Sequence, residues 1–129
     1  MQPSGGQSTL AVLLAEQREL EERVHRLEPC AEAALMIGYY VLAFAAREDE
    51  AFAALAPLLD PAARQELAAD HHQIAEDLAL LEWLLSNGTD SPDIAVLTSS
   101  LIRRMRQHVD RDGRLLARAA GMLGTRRPT

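Results

Sequence analysis

Five polar residues fall on the apolar stripes of helical patterns: Gln17, Glu48, His71, His108 and Asp112. A step of about 100° per residue puts each of them within or near the centre of the face that the leucines mark. A lone carboxylate buried there is costly unless something neutralises it. Two carboxylates and two imidazoles aimed at one axis form a donor set that a metal ion satisfies, and their mix of oxygen and nitrogen suits Fe(II), Mn or Zn. His108 and Asp112 stand four residues apart, so one helix presents a nitrogen and an oxygen on the same face. His71 lies close to the line of Leu67, Ile74 and Leu78, whereas His72 is turned to the edge or outside. Glu48 sits among Val41, Phe44, Phe52 and Leu55, and its neighbours Asp49 and Glu50 point away. With no Arg or Lys on any inward stripe, a histidine or an ion is what remains to partner Glu48. A metal-free network of imidazole and carboxylate also satisfies these groups. Both readings stand at this point.

Four helical segments must position these residues. The first starts near Ser8 or Thr9, either of which can cap it, and runs to about Glu28 with Leu10, Leu13, Leu20, Val24 and Leu27 on one face. Pro29 ends it or opens the second, which runs from about Cys30 to Leu58 with Ile37, Val41, Phe44, Phe52, Leu55 and Leu59 inward. Asp60-Pro61 reads as N-cap and first turn of the third, which continues to Leu85 or Ser86. Asn87-Gly88 is a stop, since both residues tolerate the left-handed conformation. Thr89–Pro92 reads as a loop. The fourth helix runs from Pro92 or Asp93 to Met122, with Leu97, Leu101, Met105, Leu115, Leu116 and Ala119 as its core stripe. Short connections favour antiparallel neighbours. The expected fold is all-α, an up-down-up-down antiparallel four-helix bundle over residues 9–123, with flexible ends at 1–8 and 124–129. An internal echo supports two related hairpins: Glu16–Leu20 resembles Asp70–Ile74, and Phe44–Glu48 resembles His108–Asp112.

Composition agrees. A chain of 129 residues, 48% of them hydrophobic, is one domain with one core. Aromatics are only 4%, and alanine is abundant, which favours closely packed helices. The net charge of −6 argues against nonspecific nucleic-acid binding. The longest apolar run, Ala33 to Ala46, is too short to span a bilayer. No signal peptide is apparent, and a single cysteine, Cys30, excludes an internal disulfide framework, so a reducing cytoplasm is expected. The basic residues are all Arg, and Arg103, Arg104, Arg111, Arg114 and Arg118 gather on the outer face of the fourth helix. That face reads as solvated or as a dock for an acidic protein or a phosphate-bearing molecule. Trp83 lies outside its helix's stripe and reads as an oligomer contact or as packing by the nearby loop. The chain is expected to be a monomer or homodimer.

The motifs DHHQIAEDLALLEWLL and RRMRQHVDRDGRLL, in their order and inward phase, resemble the third- and fourth-helix signatures of the hemerythrin-like family, the HHE cation-binding domains. The resemblance covers about Leu10 to Leu123. It implies a four-helix bundle with a non-haem di-iron centre. Its pattern is one His on the first helix, His-x-x-x-Glu on the second, one His on the third, and His-x-x-x-Glu or -Asp on the fourth. Carried over by position, Glu48 and Asp112 are bridging carboxylates, and His71 and His108 hold one iron. Gln17 and Phe44 stand where two histidines would hold the other, so the resemblance implies one remaining ion, with Zn or Mn as alternatives to iron. Tyr40, one turn before Phe44, is an additional candidate ligand or lining residue, and so are Gln17 and Phe44; His25 is a weaker one. The function expected is sensing or buffering of metal, oxygen or nitric oxide, with a diatomic ligand at an open position. The alternative is a metal-free degenerate bundle acting as an interaction or regulatory module. A mononuclear oxidative enzyme ranks last, since no substrate pocket is legible.

Overall fold

The computed structural model describes the backbone of residues 5–88 and 92–125 and the side chains of residues 10–55, 57–88 and 92–122. Within these limits the chain forms four helices and no strand: α1 (Gly5–His25), α2 (Ala31–Leu55), α3 (Pro61–Ser86) and α4 (Pro92–Thr125). Consecutive helices pack on one another, α1 packs on α4, and α2 meets α4 across the middle. This is a four-helix bundle. The loop expected at Thr89–Pro92 lies mostly outside the described residues, as do residues 1–4 and 126–129.

The helix ends follow local chemistry. Asp60 is extended (φ −66°, ψ 121°), and its carboxylate accepts from the Ala62 amide at 3.2 Å, with Pro61 needing no partner in the first turn. At the other end of α3, the Asn87 side chain donates to the Trp83 carbonyl at 2.7 Å. Gly88 alone takes the left-handed conformation (φ 62°); Asn87 stays at φ −87°. The expected second helix was carried too far. It stops at Leu55, and Ala56–Leu58 is a short 3-10 turn, because Pro57 cannot donate and disfavours helix in the residue before it. Conversely α1 begins at Gly5, ahead of the expected Ser8 or Thr9 cap, and ends at His25; α4 runs past Met122 to Thr125.

The expected stripes form the core. Leu10, Leu13, Val24, Val41, Phe44, Phe52, Leu67, Ile74, Leu78, Leu81, Leu101, Met105 and Leu116 are all buried in one cluster. Each such side chain contributes on the order of 1.5–3 kcal/mol. Ile37 is only half-buried, and Ala34 and Gly38 take the inner line instead. A Cβ at Gly38 would collide with the Leu78 methyl Cδ2, so glycine there lets α2 and α3 close. A second close approach joins α1 to α4: a Cβ on Gly113 would lie 2.9 Å from Gln17 Nε2.

Candidate metal centre

Four of the five polar residues of the apolar stripes are withdrawn from water. Glu48 on α2 is 0% exposed, His108 and Asp112 on α4 are 2% and 1%, and Gln17 on α1 is 1%. His71 on α3 is half-buried. It opens onto a cavity of about 340 Å³ lined also by Asp49, Phe52, Arg64 and Leu67.

Two of the residues clasp as a histidine pair. His71 Nε2 and His108 Nε2 are 3.0 Å apart, with the rings edge-on at 73°. His108 Nδ1 lies 3.2 Å from Asp70 Oδ2, and Arg111 Nη1 reaches both Asp70 oxygens at 3.0 and 3.1 Å. A carboxylate only accepts, so His108 donates to Asp70 from Nδ1. Burial, and then the neighbouring His108, push the His71 pKa down to about 4. Burial works to raise Asp70, but His108 and Arg111 outweigh it and hold the carboxyl below its ordinary value.

The other two face one another as an acid pair. Burial raises Glu48 far above the carboxylate range, and Asp112 adds to this through a shared hydrogen bond and its charge. Burial raises Asp112 as well, while the bond to Glu48 and the charge of His108 pull it back. The higher proton affinity of the pair is therefore that of Glu48. Both oxygens of Glu48 and Oδ1 of Asp112 are buried with no hydrogen-bond partner in the protein. The pair takes either a proton or a cation.

The remaining candidates point elsewhere. Gln17 donates from Nε2 to the Val109 carbonyl at 2.6 Å and to Glu21 Oε2 at 3.3 Å, so it ties α1 to the backbone of α4. Phe44 is 3% exposed in the core. Tyr40, considered as a ligand, is 52% exposed on the outside, with the Arg23 guanidinium 6.0 Å from its ring centre. It sits one turn before Phe44 but off the buried line. His72 is exposed and pairs with Glu76 at 3.0 Å.

Convergence is incomplete. Among the described residues, the one group of three whose ligand atoms all lie within 4.8 Å of one another is Glu21, His25 and Asp110, at the α1–α4 surface. The histidine pair and the acid pair stand as two separate clasps.

Asp70 and Arg111 escaped the sequence reading. Arg111 was assigned to the outer face of the fourth helix, yet it is half-buried on Asp70; Arg104 likewise pairs with Asp77 at 3.1 Å. Half-buried Asp70 draws Arg111 inward, whereas Arg104 stays exposed beside buried Asp77, and Arg103, Arg114 and Arg118 are exposed as well. A usable signal existed. Asp70 and Arg111 are equidistant in sequence from the α3–α4 connection, as His71 and His108 are to within a residue, and Asp77 and Arg104 are equidistant from it nearer by. Trp83 is 60% exposed, with Leu80 at 51% on the same helix.

No protein-family model matches the chain, and neither a curated protein nor a solved structure matches it.

Proposed function

We propose that Glu48, His71, His108 and Asp112 hold one divalent transition-metal ion, and that the protein senses or buffers metal, oxygen or nitric oxide through it. The observation that carries this is the buried oxygens of Glu48 and Asp112, which lack any donor once ionised. A cation is the partner that lets both carboxylates stay charged at this depth. The histidines support it. They bring two imidazole nitrogens together on α3 and α4, 3.0 Å apart. The Asp70–His108 bond is the outer support that a ligating imidazole needs. Iron is the ion that the hemerythrin-like resemblance favours; zinc and manganese suit the same donors. When bound, the ion would supply neutralising charge and an exchangeable position for a small ligand. Loading requires the acid pair to release its proton, the histidines to give up their mutual hydrogen bond, and the two clasps to close. The groove beside His71 is a route to that site.

The up-down-up-down topology belongs to the same reading. It is supported by the paired residues on α3 and α4 at matched distances from their connection. No helix of the described residues is long and apolar enough to cross a membrane. With Cys30 as the lone, exposed thiol, this supports a place in the cytoplasm.

A metal-free module is the second reading, and the direct bond between the two histidines favours it. The experiment is anaerobic Fe(II) loading with metal analysis and a melting curve. One equivalent lost in both His71→Ala and His108→Ala, with a raised Tm in the wild type, is expected. Metal content indifferent to both substitutions leaves the module. Two ions lost together on His108→Ala would refute the one-ion version.

A further inference from the structure

A different set of donors meets on the opposite side of α4. Glu21, His25 and Asp110 each bring one ligand atom to within 4.8 Å of the others. Glu21 and His25 are one turn apart on α1, the spacing that puts two donors on one face. Asp110 reaches them from α4, and its Oδ1 lies 2.7 Å from His25 Nε2. Both acids are half-buried, and the His25 side chain is 43% exposed, so an ion there keeps access to water.

This cluster has a rigid backing. Gln17, 1% exposed, bonds at once to Glu21 Oε2 and to the carbonyl of Val109, the residue preceding Asp110. One buried amide thus fixes Glu21 relative to the α4 backbone that carries Asp110. The absence of a Cβ on Gly113 is what admits that amide. Arg18 and Arg114 border the adjoining groove with Glu21 and Asp110. Neither arginine forms an ion pair with the two acids among the described residues. The direct partner within the cluster is therefore the His25 imidazole, held on Asp110.

We infer that Glu21, His25 and Asp110 form a second site, for a divalent transition-metal ion, that clips α1 to α4. One imidazole nitrogen and two carboxylate oxygens suit zinc and its first-row neighbours. Magnesium and calcium prefer all-oxygen shells. Water fills the remaining positions. The site shares no residue with the buried cluster and does not depend on it. An ion that grips two helices in the folded chain alone stabilises the fold by mass action.

The test uses the full chain with the buried cluster disabled by Glu48→Gln, or by His71→Ala if the first variant does not fold. Zinc chloride is titrated calorimetrically, with magnesium chloride as control. One equivalent of zinc should bind and raise the Tm, and magnesium should do neither. His25→Ala and Asp110→Asn should each weaken zinc by about tenfold or more, since each removes a ligand whereas even outer supports are worth tenfold to a hundredfold. Glu21→Gln, which keeps the side chain's shape, should do the same. An absence of zinc binding in the disabled background, or unchanged affinity after His25→Ala, would overturn the site and leave His25–Asp110 as an ordinary surface bond.

Discussion

Corresponding positions in the two halves of the chain are put to opposite uses. In the α3–α4 half, His71 and His108 meet at 3.0 Å and are braced by Asp70 and Arg111. In the α1–α2 half, the echoing positions hold Gln17 and Phe44, which fasten α1 to α4 and fill the core. One half pairs imidazoles at these positions, and the other has an amide and a phenyl ring that pack. Among the described residues, Glu48 is the one ionisable side chain that the first half buries completely.

That contrast is open to attack at several points. The largest effect is expected from Phe44→Ala, which should cost about 3–5 kcal/mol in denaturant unfolding. Metal content at the buried cluster should not change; if it does, the first half is chemically engaged after all. Next comes Asp70→Asn, which removes the charged acceptor behind His108. Metal affinity should fall about tenfold to a hundredfold, roughly 1.4–2.8 kcal/mol. An unchanged affinity would reduce Asp70 to a surface partner of Arg111.

Glu48→Gln separates stability from binding. The metal-free protein should gain stability at pH 8, because the amide folds without the proton that Glu48 must take up, while metal uptake at the buried cluster disappears. The pH dependence carries the same signature. The folded-state pKa of Glu48 is raised above its ordinary value of 4.5, so the folded chain holds a proton that the unfolded chain releases. Its contribution is full below pH 4.5 and is lost progressively as pH rises toward the folded value. His71 acts oppositely. Its pKa drops from 6.5 to about 4, so its contribution is full above 6.5 and is lost as pH falls toward 4. Melting curves of the metal-free wild type should therefore decline from about pH 6 to pH 9, and Glu48→Gln should flatten that decline. A wild type indifferent to pH over this range would contradict the buried acid pair.

The smallest change expected is from Gln17→Leu. Losing the bond to Val109 should cost about 1 kcal/mol, with no change at the histidine pair. A large loss of metal there would place Gln17 in the site and break the contrast between the halves.

Periodicity was enough to reveal the four helices and which of their faces turn inward. Leu67, Ile74, Leu78, Leu101, Met105 and Leu116 are buried because a stripe of that width cannot stay in water. It also identified Glu48, His108 and Asp112 as polar residues in dry positions, since phase around a helix depends on residue number alone. Helix ends were less legible: Pro57 stopped α2 before Leu58, and α1 began ahead of its expected cap. Partnership was left to tertiary structure. Whether Glu48 meets an imidazole or Asp112, whether Gln17 turns to a ligand or to the Val109 carbonyl, and whether Arg111 faces water or Asp70 depend on the heights and rotations of packed helices. Differences of a few ångströms decide those contacts, and they arise from close approaches at Gly38 and Gly113 that act between segments far apart in the chain.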